Sequence, residues 1–215
     1  YFVMRNEEDH VFIDCAPVGL AGRGGHGHND CLSFELTLKG QNIITDSGAY
    51  VYTESYKERD QFRSTAYHST PKVDGEEINR FISPDFIWNL NYDAIPKVHK
   101  WSTDQNLDVF IGSHSGYHRL KEGITPVRKI ELHHEAHKLV IEDKIEGAGV
   151  HEVEIPFHLS SDVTIVGKTD RLFNLITPSA SFVLSWKSNY DWSVSIEDGF
   201  VSTSYGIKKT RQTIV

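Results

Sequence analysis

Lysine and arginine never gather into a run in this chain. There are 22 of them against 30 aspartates and glutamates, for a formal net charge of -8 over 215 residues. A nucleic-acid backbone is held by clustered cations that release counterions, so this composition argues against DNA or RNA as a partner. Long apolar runs are missing as well. No stretch approaches the roughly 18 consecutive apolar residues of a membrane span. The opening Tyr1-Phe2-Val3-Met4-Arg5 has no basic region followed by an apolar one, so neither a signal peptide nor a membrane span is expected within these residues, whatever a longer parent carries. Cysteine is scarce. Cys15 and Cys31 are the only two, without C-x-x-C spacing and far below the density of a disulfide scaffold, so two buried thiols are expected, with a single bridge as the alternative.

What the chain does hold is strand signal. Residues 33–38 alternate apolar and polar, residues 39–42 make a turn, and residues 43–45 begin a return strand, which reads as a hairpin. The theme recurs at 128–132, 138–145, 153–159, 163–166, 181–186 and 192–196, separated by short Gly, Asp, Ser or Asn turns. No helical periodicity of useful length intervenes, so an all-β fold is expected: a large antiparallel β-sandwich of two or more stacked sheets. One domain over 1–215 is the favoured division, with 123–126 as a possible break. Residues 53–100 interrupt the rhythm with charge, aromatics and Pro71, Pro84 and Pro96. A short helical turn fits 54–65, and so long an excursion from a sandwich points to function.

Three motifs offer chemistry. Gly22, Gly24 and Gly27 spell G-x-G-x-x-G, but a dinucleotide site needs a helix after the third glycine, and residues 32–38 alternate as a strand. His133-His134-Glu135-Ala136-His137 has one residue too few between Glu and the last His for a zinc-protease helix, and its apolar flanks make it a hairpin connection. The run Gly22-Arg23-Gly24-Gly25-His26-Gly27-His28-Asn29-Asp30 is harder to set aside. With period two, His26, His28 and Asp30 would share one side of an extended segment. Further ligands would have to come from elsewhere, and Asp46 and His68 stand out; two imidazoles, one carboxylate and a water form a common zinc set.

In order along the chain come Gly25-His26-Gly27-His28-Asn29-Asp30 with Ser33-Phe34-Glu35-Leu36, then Asp46-x-Gly48-x-Tyr50-x-Tyr52, Arg59, and Phe62-Arg63-Ser64-Thr65-x-x-His68-Ser69-Thr70. This series resembles the C-terminal region of the heparinase II/III-like polysaccharide lyases, over about residues 20 to 75. The chain departs from it at His68-Ser69-Thr70, where the family often has His-Asn-Thr. The resemblance implies a two-part enzyme, an N-terminal α/α toroid and a β-sandwich with an acidic polysaccharide in the cleft between them. Position by position, it implies that His28, Asp46 and His68 hold a structural zinc and that His26 faces the cleft as a catalytic residue. It also implies a periplasmic or secreted protein.

These lyases act by β-elimination: a base takes the C5 proton beside a uronate carboxylate, that carboxylate is neutralised, and an acid protonates the departing O4. The 215 residues contain no toroid, so little turnover is expected from them alone. Arg63, Arg59 and Tyr52 are expected on the substrate surface, with pairing to nearby acids the competing role for Arg59. Trp88 and Trp101 fit packing better than sugar stacking. The rival readings are a non-catalytic carbohydrate-binding β-sandwich and a jelly-roll hydrolase whose ion activates water.

Overall fold

The computed structural model describes residues 1–23, 25–82 and 88–215. Gly24 and Pro84, both named above, lie outside them. Sixteen strands are described. In chain order they are β1 (Phe2–Arg5), β2 (His10–Ile13), β3 (Phe34–Leu38), β4 (Gln41–Ile44), β5 (Lys72–Val73), β6 (Pro96–Ser102), β7 (Leu107–His114) and β8 (Thr125–His133). There follow β9 (Lys138–Glu146), β10 (Val153–Glu154), β11 (Phe157–His158), β12 (Thr164–Thr169), β13 (Leu172–Ile176), β14 (Ser181–Ser185), β15 (Ile196–Ser204) and β16 (Ile207–Ile214). All pairings are antiparallel, in sheets ordered β1-β2-β3-β4, β6-β7-β8-β9, β11-β16-β15 and β12-β13-β14, with β5 and β10 forming a small ribbon. The fold is the expected all-β antiparallel sandwich.

The alternation that announced these strands is the alternation that buries them. In β8, Arg128, Ile130 and Leu132 are buried while Val127, Lys129 and Glu131 are less so, and in β3 Phe34, Leu36 and Leu38 turn inward. Met4, Val11, Ile13, Phe110, Leu159 and Phe173 join them in one core. The His133–His137 run is the turn between β8 and β9, as expected of a hairpin. Residues 123–126, marked as a possible division, are where β8 begins.

Two expectations need correction. Residues 192–195 are not strand, because the Trp192 indole turns back to donate to Ser188 Oγ at 2.6 Å and β15 starts only at Ile196. Residues 153–159 form two short pieces, interrupted around Pro156, which has no N–H to offer a ladder. The helical turn at 54–65 is a full helix, α1 (Tyr56–Arg63), capped by Ser55 Oγ accepting from the Glu58 N–H. It buries Arg59, Phe62 and Arg63, spaced i, i+3, i+4 on one face.

Sheet β6-β7-β8-β9 is fastened to the rest by a buried cation. Arg128 is fully buried, pairs with Asp143 through Nε–Oδ1 at 2.7 Å and Nη2–Oδ2 at 2.9 Å, and donates from Nη1 to the carbonyls of Leu32 and Ser69. Those two carbonyls flank the segments that carry Asp30 and His68. Arg128→Met strands the Asp143 carboxylate beneath the sheet and is expected to cost about 3–5 kcal/mol, a fall in Tm of about 6–20 °C. Replacing Asp143 with Leu in the same chain should restore much of that loss; a single variant as stable as the parent in a thermal melt contradicts the role given to Arg128.

Candidate functional site

The segment 25–30 is too glycine-rich to order itself, so other parts of the chain must hold it. Asn29 is the point of attachment, and it is completely buried. Its backbone N–H donates to Arg63 O at 2.9 Å, its Nδ2 donates to Glu77 Oε2 and Asn79 O at 2.9 Å each, and its Oδ1 accepts from Asn79 N at 2.9 Å. Glu77 Oε2 also accepts from the Thr65 N–H and hydroxyl, at 2.7 and 2.8 Å. Arg63 Nε adds a bond to Gly27 O at 2.8 Å, and Thr70 Oγ1 one to Cys31 O at 2.7 Å. With Asn29 turned in, its neighbours His28 and Asp30 must turn the other way.

They turn towards His68. The imidazole rings of His28 and His68 lie 5.3 Å apart, and ligand atoms of His28, Asp30 and His68 lie within 4.8 Å of one another, a convergence with no equal among the described residues. Asp46, expected as the carboxylate of the set, sits with Oδ2 at 2.6 Å from His68 Nδ1 while its Oδ1 accepts from Gly48 N. His68 is 1% exposed, and its Nε2 is buried with no hydrogen-bond partner. A buried imidazole nitrogen without a partner, beside a second imidazole and a carboxylate, fits a divalent cation that takes nitrogen and oxygen ligands.

The electrostatics agree with that fit. Burial, with the neighbouring His68, pushes the His28 imidazole down to about 3, so it is neutral and has a lone pair to give at physiological pH. Burial pulls His68 down too, but the charge and hydrogen bond of Asp46 outweigh it and the net shift is upward. For Asp46, burial is outweighed by His68 and the Gly48 N–H, and its carboxyl falls well below the usual range. Burial and the charge of Asp30 raise Asp14 to about 7, and burial with the charge of Asp46 raises Asp30. Three acids crowd a space that a cation would relieve.

His26 leaves this row. Its φ is +64°, the left-handed region, so it does not continue the extended spacing that would have set it beside His28 and Asp30. Its exposed ring packs instead against Tyr52, with centroids at 4.6 Å, and Trp88, at 4.4 Å. Of the glycines around it, Gly22 is the crowded one: a Cβ there would meet Leu90 O at 2.0 Å, whereas at Gly25 it would meet nothing within 4 Å.

Arg59 and Arg63, expected on the substrate surface, are 2% and 1% exposed. Both reach Asp60, at 2.9 and 3.2 Å, and both stack beneath Trp88, while Arg63 also donates to Trp88 O at 2.7 Å. Their surroundings are those of supports for the half-buried Trp88. Tyr52 is at the surface, whereas Tyr50 packs on Phe62 at 5.3 Å. Trp101 packs on Phe2 at 5.1 Å. Cys15 and Cys31 are buried free thiols, as expected. Sequence reasoning gave Asn29 no role of its own; its only signal is parity, since it lies between two residues that face the other way.

Comparison with known proteins places the chain in a family. The profile of the family described as Heparinase II/III-like, C-terminal matches residues 1–215. The chain belongs to that family. Among curated relatives, a heparin-sulfate lyase of Pedobacter heparinus is 26% identical over 195 residues, covering 88% of this chain and 27% of the lyase. A heparin-sulfate lyase of Bacteroides stercoris is 22% identical over 223 residues, 100% of this chain and 30% of its own length. The crystal structure of heparan sulfate lyase HepC from Pedobacter heparinus superposes with a TM-score of 0.75 at 22% identity, over 96% of this chain and 30% of that one. A heparinase III crystal structure gives 0.74 at 18%, with the same coverage. The chain thus spans less than a third of the length of these lyases, and among its described residues no helix is long and apolar enough to cross a membrane.

If Asn29 holds this site together, Asn29→Ala should destabilise the chain by about 1–3 kcal/mol, because the Asn79 N–H and carbonyl it satisfies are left buried without that partner. The affinity of the His28, Asp30 and His68 cluster for added zinc as a probe cation, measured by competition with a chromophoric chelator, should fall about 10- to 100-fold. Unchanged affinity would show that the segment orders itself without this anchor.

Proposed function

We propose that this chain is the β-sandwich part of a lyase that cleaves uronate-containing acidic polysaccharides by β-elimination, completed in its parent protein by an N-terminal α/α toroid. The observation that carries the reading is the division of one short segment between two environments: His28 and Asp30 turned to His68, and His26 turned to the exposed Tyr52 and the half-buried Trp88. In this reading His28, Asp46 and His68 hold zinc, with Asp30 as a further carboxylate beside them. Asp46 either shares the ion or fixes His68 through Nδ1, leaving the unpartnered Nε2 as the donor nitrogen. The ion supplies fixed positive charge that ties three distant segments together.

The chemistry at the substrate belongs to other groups. His26, exposed beside Tyr52, exchanges protons with the sugar, as base for the C5 proton or acid for the departing O4. Tyr52 offers a ring and a hydroxyl to the polymer. Arg59 and Arg63 act from below, holding Trp88 and, through Gly27 O, the backbone on which His26 sits. Neutralising the uronate carboxylate falls to the toroid, so the isolated chain should show little or no turnover. A periplasmic or secreted location follows, since acidic polysaccharides of this kind lie outside the cell.

Two variants separate the roles. His28→Ala is expected to lose bound zinc and lower the Tm, as removal of a structural ligand should. His26→Ala is expected to keep zinc and fold, while turnover by the toroid-containing parent, read as absorbance of unsaturated uronate product, drops by about 10²- to 10⁴-fold. Equal zinc loss in both variants, measured by elemental analysis, would overturn the assignment.

A further inference from the structure

We propose that Tyr205, at the tip of the β15–β16 hairpin, forms an aromatic subsite that stacks on a pyranose ring of the acidic polysaccharide, extending the exposed face around His26 and Tyr52. This rests on the lyase reading above and adds to it a binding residue some 180 positions away in sequence from His26.

Tyr205 is 57% exposed, and its position is fixed by its surroundings. Tyr205 and Gly206 form the turn between the paired residues Ser204 and Ile207. The Gly206 N–H donates to Tyr50 O and the Ser202 N–H to Ser47 O, each at 2.8 Å. The hairpin presses so closely on residues 46–50 that a Cβ on Gly48, at φ +74°, would stand 2.2 Å from Ser202 O. From β16, Arg211 donates to Thr45 O at 2.9 Å and to Ser47 Oγ. The segment between Asp46 and Tyr52 is therefore clamped by the C-terminal hairpin, whose tip cannot swing independently of the site.

That clamp sets the Tyr205 ring at 5.1 Å from Tyr52, tilted by 68°, and Tyr52 in turn at 4.6 Å from His26 and 5.3 Å from Trp88. The result is a cluster of His26, Tyr52 and Trp88 in mutual contact, which Tyr205 extends from the far side of Tyr52. An edge-to-face contact with Tyr52 leaves much of the Tyr205 ring open. Tyr205 and Tyr52 are exposed side by side, and contiguous aromatic surface of this kind marks a place where a ligand binds. The face of a pyranose, apolar C–H groups ringed by hydroxyls, matches a phenol ring with a polar tip. Polymer substrates need such contacts beyond the scissile bond, where binding energy is gathered from sugars that do not react.

The test is calorimetric titration of the zinc-loaded chain with a size-defined heparan sulfate hexasaccharide. Tyr205→Ala is expected to raise Kd about five- to tenfold, with zinc content and Tm unchanged. Tyr205→Phe, which keeps the ring, and Tyr190→Ala, which removes an exposed aromatic elsewhere, should stay within about twofold of the parent chain. An unchanged Kd in Tyr205→Ala, or an equal loss in Tyr205→Phe, overturns the stacking subsite and leaves the lyase reading standing. No binding by the unsubstituted chain also overturns the subsite, while the lyase reading stands or falls separately on the His28 and His26 variants above.

Discussion

A buried asparagine side chain organises this domain. The segment around His26 and His28 has too few side chains to pack, and its order comes from hydrogen bonds made below it: Asn29 to Glu77, Asn79 and Arg63, and Arg63 to Gly27. Asn29, Asn79 and Arg63 are buried, so a bond left unmade among them would cost the desolvation of its partner as well. The network is also directional. Fixing Asn29 on one side sets His28 and Asp30 towards His68, and the turn at His26 then points one more ring elsewhere. A single anchor produces two environments two residues apart.

Around that anchor the sandwich supplies rigidity from three directions. Arg128 ties β8 to the carbonyls of Leu32 and Ser69, the helix α1 contributes Arg59 and Arg63 beneath Trp88, and the β15–β16 hairpin locks residues 46–50 in place. Three buried arginines, counting Arg211, hold backbone carbonyls at these junctions. A guanidinium suits such positions because its planar fork donates to several fixed acceptors at once. Burial holds Asp14 and Asp30 above their ordinary values beside two imidazoles and Asp46, and a bound cation would favour their ionised forms.

Much of the sandwich was legible because one-sided burial writes period two into a sequence, as β3 and β8 show. Strands without that asymmetry left no such trace. β7 is buried on nearly every residue, and β6 is exposed on nearly every one, so neither alternates. β16, with Lys208, Lys209, Thr210 and Arg211 at its centre, looks like a loop until its partner β15 is known. At the site, His26, His28, Asp46 and His68 could be named because imidazoles and carboxylates advertise their chemistry and because the ordered blocks resemble a known family. Their geometry could not. The left-handed turn at His26 and the inward Asn29 are set by groups far along the chain. The burial of Arg59 and Arg63 was hidden because charge normally signals surface, although their spacing with Phe62 on one helical face was visible.

Whether these distant segments converge on one cation is read by X-ray absorption at the zinc edge on the purified chain. The expected spectrum shows about one zinc per chain, bound by two imidazole nitrogens with carboxylate oxygen completing the set and no sulfur. A chain that takes up no zinc, or a spectrum with sulfur ligands from Cys15 and Cys31, would contradict that convergence.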